Sequence, residues 1–290
     1  MFDRILIPVD GSDPARRAAA AGLELASTYD AAVDVLYAIE PSRMRDGEAA
    51  RRAREERGAE ILAEVSEMAD AADVAVETRR SEGRPPRVIV DHVDERGIDL
   101  VVMGRHGRAG LGERLLGSVT ERVLRGSDAP VLTVDGGDAD DAGGYRNVLV
   151  PTDGSEIAER AAPYGVDVAR RYGATLHLLN VVDVQREGGL FSAGGVDAEF
   201  VERLEGRGRE RVDRLAERVR ETDASAEPRT AVVRGAPHAG IREYVDANGV
   251  DLVVMSSEGE SNLAGQLLGS VADRVLRTVD VPVLVVPVPE

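Results

Sequence analysis

Two stretches of this chain repeat each other almost residue for residue, and that duplication limits the folds open to it. Ile5-Leu-Ile-Pro8-Val-Asp10-Gly-Ser12 returns as Val148-Leu-Val-Pro151-Thr-Asp153-Gly-Ser155. Farther along, Val102-Met-Gly104-Arg-His-Gly107 returns as Val254-Met-Ser256-Ser-Glu-Gly259. Leu115-Leu-Gly117-Ser118-Val returns as Leu267-Leu-Gly269-Ser270-Val, and Ala129-Pro-Val-Leu132 as Val281-Pro-Val-Leu284. A chain that encodes one unit twice is expected to fold as two similar domains, each long enough for its own core. The polar, glycine-rich stretch from Asp135 to Gly144 has no apolar anchor and reads as a linker. The predicted boundaries are 1–135 for the first domain, 136–144 for the linker and 145–290 for the second. The second copy is the longer, and its surplus is assigned to the Gly-rich stretch near 186–195.

Within each copy, short β-branched runs alternate with helical patterns and end on a strand. In the first copy the strands are expected at Arg4–Val9, Val33–Ile39, Val74–Arg80, Leu100–Met103 and Pro130–Val134. The helices are expected at Pro14–Tyr29, Asp46–Asp70, Pro85–Arg96 and Ser118–Arg125. This alternation predicts an α/β fold with a parallel sheet and helices on both faces, a doubly wound domain occurring twice in tandem. Ligands on such sheets bind beyond the carboxyl ends of the strands, where the strand order reverses. Asp10 and Gly104 both fall at such ends.

The loop 104–118 carries the chemistry. Gly104, Gly107 and Gly117-Ser118 follow a buried strand and lead into Ser118-Val-Thr-Glu121, a capping-box pattern that predicts a helix start at Ser118. Glycines let backbone N–H groups approach phosphate oxygens, and a helix N-terminus favours negative charge. The loop also contains Arg105, Arg108 and Arg114 against one acid, Glu113. Its second copy, 256–270, has Glu258 and Glu260, no basic residue, and Ser256 in place of the first glycine. A phosphate chain should be welcomed by the first loop and resisted by the second, which predicts one strong nucleotide site per chain, in the first domain.

Composition removes several alternatives. Acidic residues outnumber basic ones 53 to 36, a net charge of −17. Such a surface repels nucleic acid and anionic membranes. No run has the apolar length of a membrane span, and the chain opens on a strand pattern rather than a signal peptide, so a cytoplasmic location is expected. All the basic residues are Arg. Adaptation to a high-salt cytoplasm and a biased genomic composition both account for that. Without Lys there is no Walker A loop and no Schiff-base chemistry. The first turn, Val9-Asp10-Gly11-Ser12, lacks the glycine fingerprint of a dinucleotide fold. With no cysteine, disulfides and thiol catalysis are absent. The four histidines, His92, His106, His177 and His238, lack a metal-ligand spacing, and His106 reads as a solvent-facing loop residue. Asp10 has two readings. It can serve turn and cap chemistry beside Ser12 and Asp13, or it can meet a ribose hydroxyl or a Mg²⁺ ion.

These motifs resemble the universal stress protein family: Gly-x₂-Gly-x₉-Gly-Ser at 104–118, Val-Asp-Gly-Ser at the first strand and Ala-Pro-Val-Leu at the last. The resemblance covers nearly the whole chain as two tandem domains. It implies five-stranded parallel sheets in the order 3-2-1-4-5 and, in the first domain, membership of the ATP-binding branch. On that resemblance Asp10 contacts the nucleotide near its ribose and phosphates, backbone at Ala38 meets the adenine, and Gly104 meets the ribose. Gly107, Gly117 and Ser118 meet the phosphates, with Pro8, Val9, Met103, Arg105, His106, Arg108 and Val119 completing the site. Asp10 is the possible Mg²⁺ ligand. In the second copy Asp153, Val181, Gly259, Gly269 and Ser270 match and Ser256 departs, so the second site is the weaker. The resemblance further implies that Val131–Val134 and Val283–Val286 pair as an internal pseudo-dimer, which a homodimer extends. The function implied is a nucleotide-dependent stress regulator or sensor with an unidentified protein partner. A slow Mg²⁺-dependent ATPase and a nucleotide-free interaction scaffold are the alternatives.

Overall fold

A computed structural model describes residues 1–40, 48–106, 116–135, 144–188, 198–259 and 268–288. The chain divides into two compact units, Met1–Ala142 and Gly143–Val288. In the first, β1 (Arg4–Val9), α1 (Asp13–Tyr29), β2 (Ala32–Ile39), α2 (Glu48–Ala71) and β3 (Val76–Glu82) are followed by α3 (Pro85–Arg96), β4 (Leu100–Gly104), α4 (Ser118–Gly126) and β5 (Val131–Val134). The strands lie in the order β3-β2-β1-β4-β5, and all four pairings are parallel. The α/β fold and this strand order are those expected.

The sequence explains these elements locally. Ile5, Leu6 and Ile7 on β1 and Val101 and Val102 on β4 are fully buried. Central parallel strands are covered on both faces, so their apolar runs are continuous rather than alternating. Strand β3 begins two residues later than expected and is mostly exposed and charged, as suits a sheet edge. Helix α1 starts where the Ser12 hydroxyl accepts a hydrogen bond from Ala15 N–H at 3.3 Å, with Pro14 in the first turn. Its alanine stripe packs on the sheet, and Asp30 ends it in the left-handed conformation. Helix α2, expected to be solvated, still buries Ile61, Leu62, Val65 and Ala69.

The second unit runs β6 (Asn147–Pro151), α5 (Glu156–Glu159), α6 (Ala162–Tyr172), β7 (Thr175–Val182), α7 (Val184–Gly188) and α8 (Ala198–Thr222). It continues with β8 (Arg229–Arg234), α9 (Pro237–Asn248), β9 (Leu252–Ser256), α10 (Ser270–Thr278) and β10 (Val283–Val286). Its order, β10-β9-β6-β7-β8, is the first unit's order again, and its pairings are parallel. Two features depart from a plain repeat. The single helix α1 is here broken into α5 and α6, because Pro163 stands in the second turn. Proline has no N–H to give and its ring crowds the preceding turn. The bonds at Arg160 and Ala161 accordingly shorten to three-residue steps, reaching Ile157 and Ala158. The other departure is α7, which begins the surplus segment. Most of the stretch assigned to that surplus, and linker residues 136–143, lie outside the described residues.

Candidate functional site

In the first unit, β2 and β4 flank β1, so the carboxyl ends of these three strands are neighbours. The chain leaves β1 toward β2 and later returns to β4 on the other side, which makes the crevice above β1 the point where strand order reverses. Ala38 stands near the end of β2, Pro8 and Val9 end β1 with Asp10 just beyond, and Met103 and Gly104 end β4. Asp10 Oδ1 accepts the Ser12 N–H at 2.9 Å, so this carboxylate does make the turn contact. Gly104 is required by packing. A side-chain carbon there would lie 2.8 Å from the Pro14 carbonyl carbon and 3.0 Å from Ala15 N, both backbone atoms.

Helix α4 is pinned to the end of β4. Gly117 N–H bonds the Arg105 carbonyl at 2.9 Å, and the Thr120 hydroxyl donates to the Gly104 carbonyl at 2.9 Å. These bonds bring Ser118 and Val119 to the Gly104 end of the crevice. The capping box does not form: Gly117 is the N-cap, no side chain caps the helix, and Ser118 is its first residue. Tertiary bonds from Gly117 and Thr120 seat the helix instead, which leaves the first-turn N–H groups without a side-chain cap. Gly107 and Arg108 lie outside the described residues.

Arg105 and His106 turn away from solvent. Arg105 is 1% exposed, and its guanidinium donates to Asp135 Oδ2 at 3.0 Å. His106 Nδ1 lies 3.5 Å from Asp135 Oδ1, with its side chain 14% exposed, and its Nε2 is buried. The solvent-facing reading of His106 is therefore corrected: the carboxylate that ends β5 draws the ring inward. Arg17 Nε donates to the Asp135 carbonyl at 3.3 Å. Asp135 stands where the sequence pattern passes from the first domain into the linker. Its partners lie 30 and 118 residues away, so no local pattern marks it.

The second unit holds an open cleft at the corresponding strand ends. Asp153, Val181, Gly259, Gly269 and Ser270, all five residues predicted there, line it. Asp153 Oδ1 accepts the Ser155 N–H at 3.0 Å and the Ser155 hydroxyl at 2.6 Å. Ser256 replaces the first glycine without closing the cleft, which it lines together with Ala158 of α5. Glu258 and Arg186 also line the cleft. Glu260 lies outside the described residues. Among the described residues no group of three or more His, Asp or Glu side chains is placed to hold a metal. Asp10 thus offers a divalent ion one carboxylate already engaged in a turn, and the remaining ligands would have to come from a bound molecule. Among the described residues no helix is long and apolar enough to cross a membrane.

The glycine crevice at the strand-order reversal, present in both units, agrees with comparison to known proteins. The family model described as the universal stress protein family matches residues 1–135 and again 144–287. The chain belongs to the universal stress protein family. Among its relatives, universal stress protein Rv2005c of Mycobacterium tuberculosis is 32% identical over 246 residues, spanning 80% of this chain and 77% of that protein. A universal stress protein of Mycolicibacterium smegmatis is 29% identical over 97% of this chain and 96% of its own length. Among solved structures, a universal stress protein from Archaeoglobus fulgidus superposes with a TM-score of 0.75 over 98% of each chain at 24% identity, a likeness of fold. This is therefore a tandem universal stress protein, and its two copies differ from each other at the crevice: Gly104 against Ser256, Arg105 against Ser257 and His106 against Glu258.

Proposed function

We propose that this universal stress protein binds ATP in its first domain and that occupancy of that site sets its regulatory state. The observation that carries the reading is the seating of the α4 N-terminus against Gly104, beside Asp10. Uncapped first-turn N–H groups and a helix dipole there suit phosphate oxygens. Glycine at 104 keeps that end of the crevice free of a side chain. Asp10 is the group for a ribose hydroxyl, or for Mg²⁺ carried in by the phosphates, and Ala38 on β2 borders the end assigned to the base. Binding rather than turnover is the role proposed, because the chain has no lysine to serve as a Walker cation and phosphoryl transfer depends on such positioned charge.

The test is to purify the whole chain in high salt with Mg²⁺, denature it, and identify and count the released nucleotide. About one ATP per chain, lost in Gly117→Val, is the expected result. Absence of nucleotide, with no binding of added ATP, would overturn the proposal and leave a scaffold.

A further inference from the structure

The two crevices differ most at the residue that abuts the fourth major helix of each unit. A side-chain carbon on Gly117 would lie 3.4 Å from His106 Cα, and one on Gly269 would lie 3.4 Å from Glu258 Cα. The helices that start there are otherwise alike. Both α4 and α10 have nine residues, begin Ser-Val, and have a glycine N-cap with no side-chain cap. Their dipoles and leading N–H groups are therefore equivalent, and the neighbouring charge decides what each attracts. In the first unit that neighbour is His106, whose ring is turned to Asp135, and in the second it is Glu258, which lines the cleft.

The rest of the second cleft is kept. Asp153 stands where Asp10 stands, and Val181 where Ala38 stands. Leu179, Ile241 and Met255 add apolar wall. Arg186 follows β7 while Glu258 follows β9, and these strands flank β6 on opposite sides. The cleft's cation and its distinguishing acid thus enter from opposite sides, with Glu258 on the side of the helix N-terminus. The parts assigned to a base and a sugar remain, while the place assigned to phosphate already has a resident anion beside it.

We propose that the second cleft takes a neutral purine nucleoside, a base and sugar without phosphate, and that Glu258 excludes the phosphorylated forms. Asp153 accepts hydrogen bonds from the sugar hydroxyls, and the apolar wall and Arg186 side receive the base. A triphosphate placed along α10 meets the Glu258 carboxylate, which has no counterpart in the first crevice, in a partly enclosed site where like charges repel. The inference rests on reading the glycine crevice as a nucleotide-type site.

Calorimetric titration of the whole chain carrying Gly117→Val, with Asp10→Ala as a second way to silence the first crevice, tests it. Adenosine and guanosine are the neutral probes and ATP the charged one. One nucleoside should bind, with ATP at least ~10-fold weaker, and adding Glu258→His should erase that preference. ATP binding as tightly as the nucleoside before the Glu258 change would overturn the proposal. So would an unchanged preference after it, or no binding of either nucleoside. Failure of ATP to bind the unaltered chain would instead count against the first-domain reading alone.

Discussion

The Asp34 carboxylate and the His92 imidazole meet 2.8 Å apart, both buried, across 58 residues of sequence. Arg96 and Arg4 each place Nε 3.2 Å from the same carboxylate. Burial pushes the Asp34 carboxyl up, but hydrogen bonds from His92 and Arg96 and the charge of Arg4 outweigh it and hold the group below the ordinary range. Among the described residues of the second unit no such buried carboxylate–imidazole pair occurs. His177 occupies the matching place on β7 and bonds the Tyr244 hydroxyl at 2.9 Å.

Removing the Asp34 charge strands cations around a buried site. Asp34→Ala is expected to cost about 3 kcal/mol at pH 7, read by urea unfolding. A depressed carboxyl stabilises the fold above its unfolded value of about 3.9 and loses that contribution as pH falls through the lower folded value. The wild-type and variant curves should therefore converge below about pH 4. A difference that persists undiminished at pH 2 would contradict this.

Mild acid should loosen the second unit first. Burial pushes the His177 imidazole down and Arg229 adds to it against Asp251; burial, then Arg274, does the same to His238. A depressed imidazole favours the fold above the unfolded value of about 6.5 and forfeits that as pH falls toward the folded one. Amide protection in β7, corrected for intrinsic rate, should drop as pH falls below about 6.5 while that in β1 holds. His177→Asn should flatten the response.

Gly104→Ser transplants the second copy's residue into the first. The new carbon meets backbone of α1 rather than a movable side chain, so we expect a loss of about 1–3 kcal/mol together with loss of bound nucleotide. Ser256→Gly, at a position where the second unit already carries a side chain beside its cleft, should cost about 1 kcal/mol or less. Thermal unfolding and nucleotide counting on both variants check the pair; equal costs would refute the packing argument.

Asp135→Ala takes the carboxylate from a guanidinium that is 1% exposed. We expect a cost of about 3 kcal/mol, nearly unchanged between moderate and high salt because the guanidinium is buried. Urea unfolding at two salt concentrations would show it. A small cost that disappears in salt would mean that the pair behaves as a surface one.

Much of this protein was legible in one dimension because the relevant physics is local. The run Ile5–Val9 reads as a central strand and Ser12-Asp13-Pro14 as a helix start, as they occur. The duplication carries each of these over to the second copy. The helix over Pro85–Arg96 was expected at the residues where it occurs, since prolines open it and Gly97 closes it. By contrast, the capping box at Ser118 failed, because bonds from Gly117 to Arg105 and from Thr120 to Gly104 seat that helix from across the fold.

The sequence by itself therefore determined the fold class, its repetition, and which residues reach the carboxyl ends of the strands. Periodicity, capping and glycine placement act over a few residues. Only the tertiary structure decided which charges neutralise one another and what space is left open. It paired Asp34 with His92 and Asp135 with Arg105 and His106, and it kept a cleft beside Ser256. Those outcomes depend on distances between residues far apart in the chain, and burial gives each contact its strength.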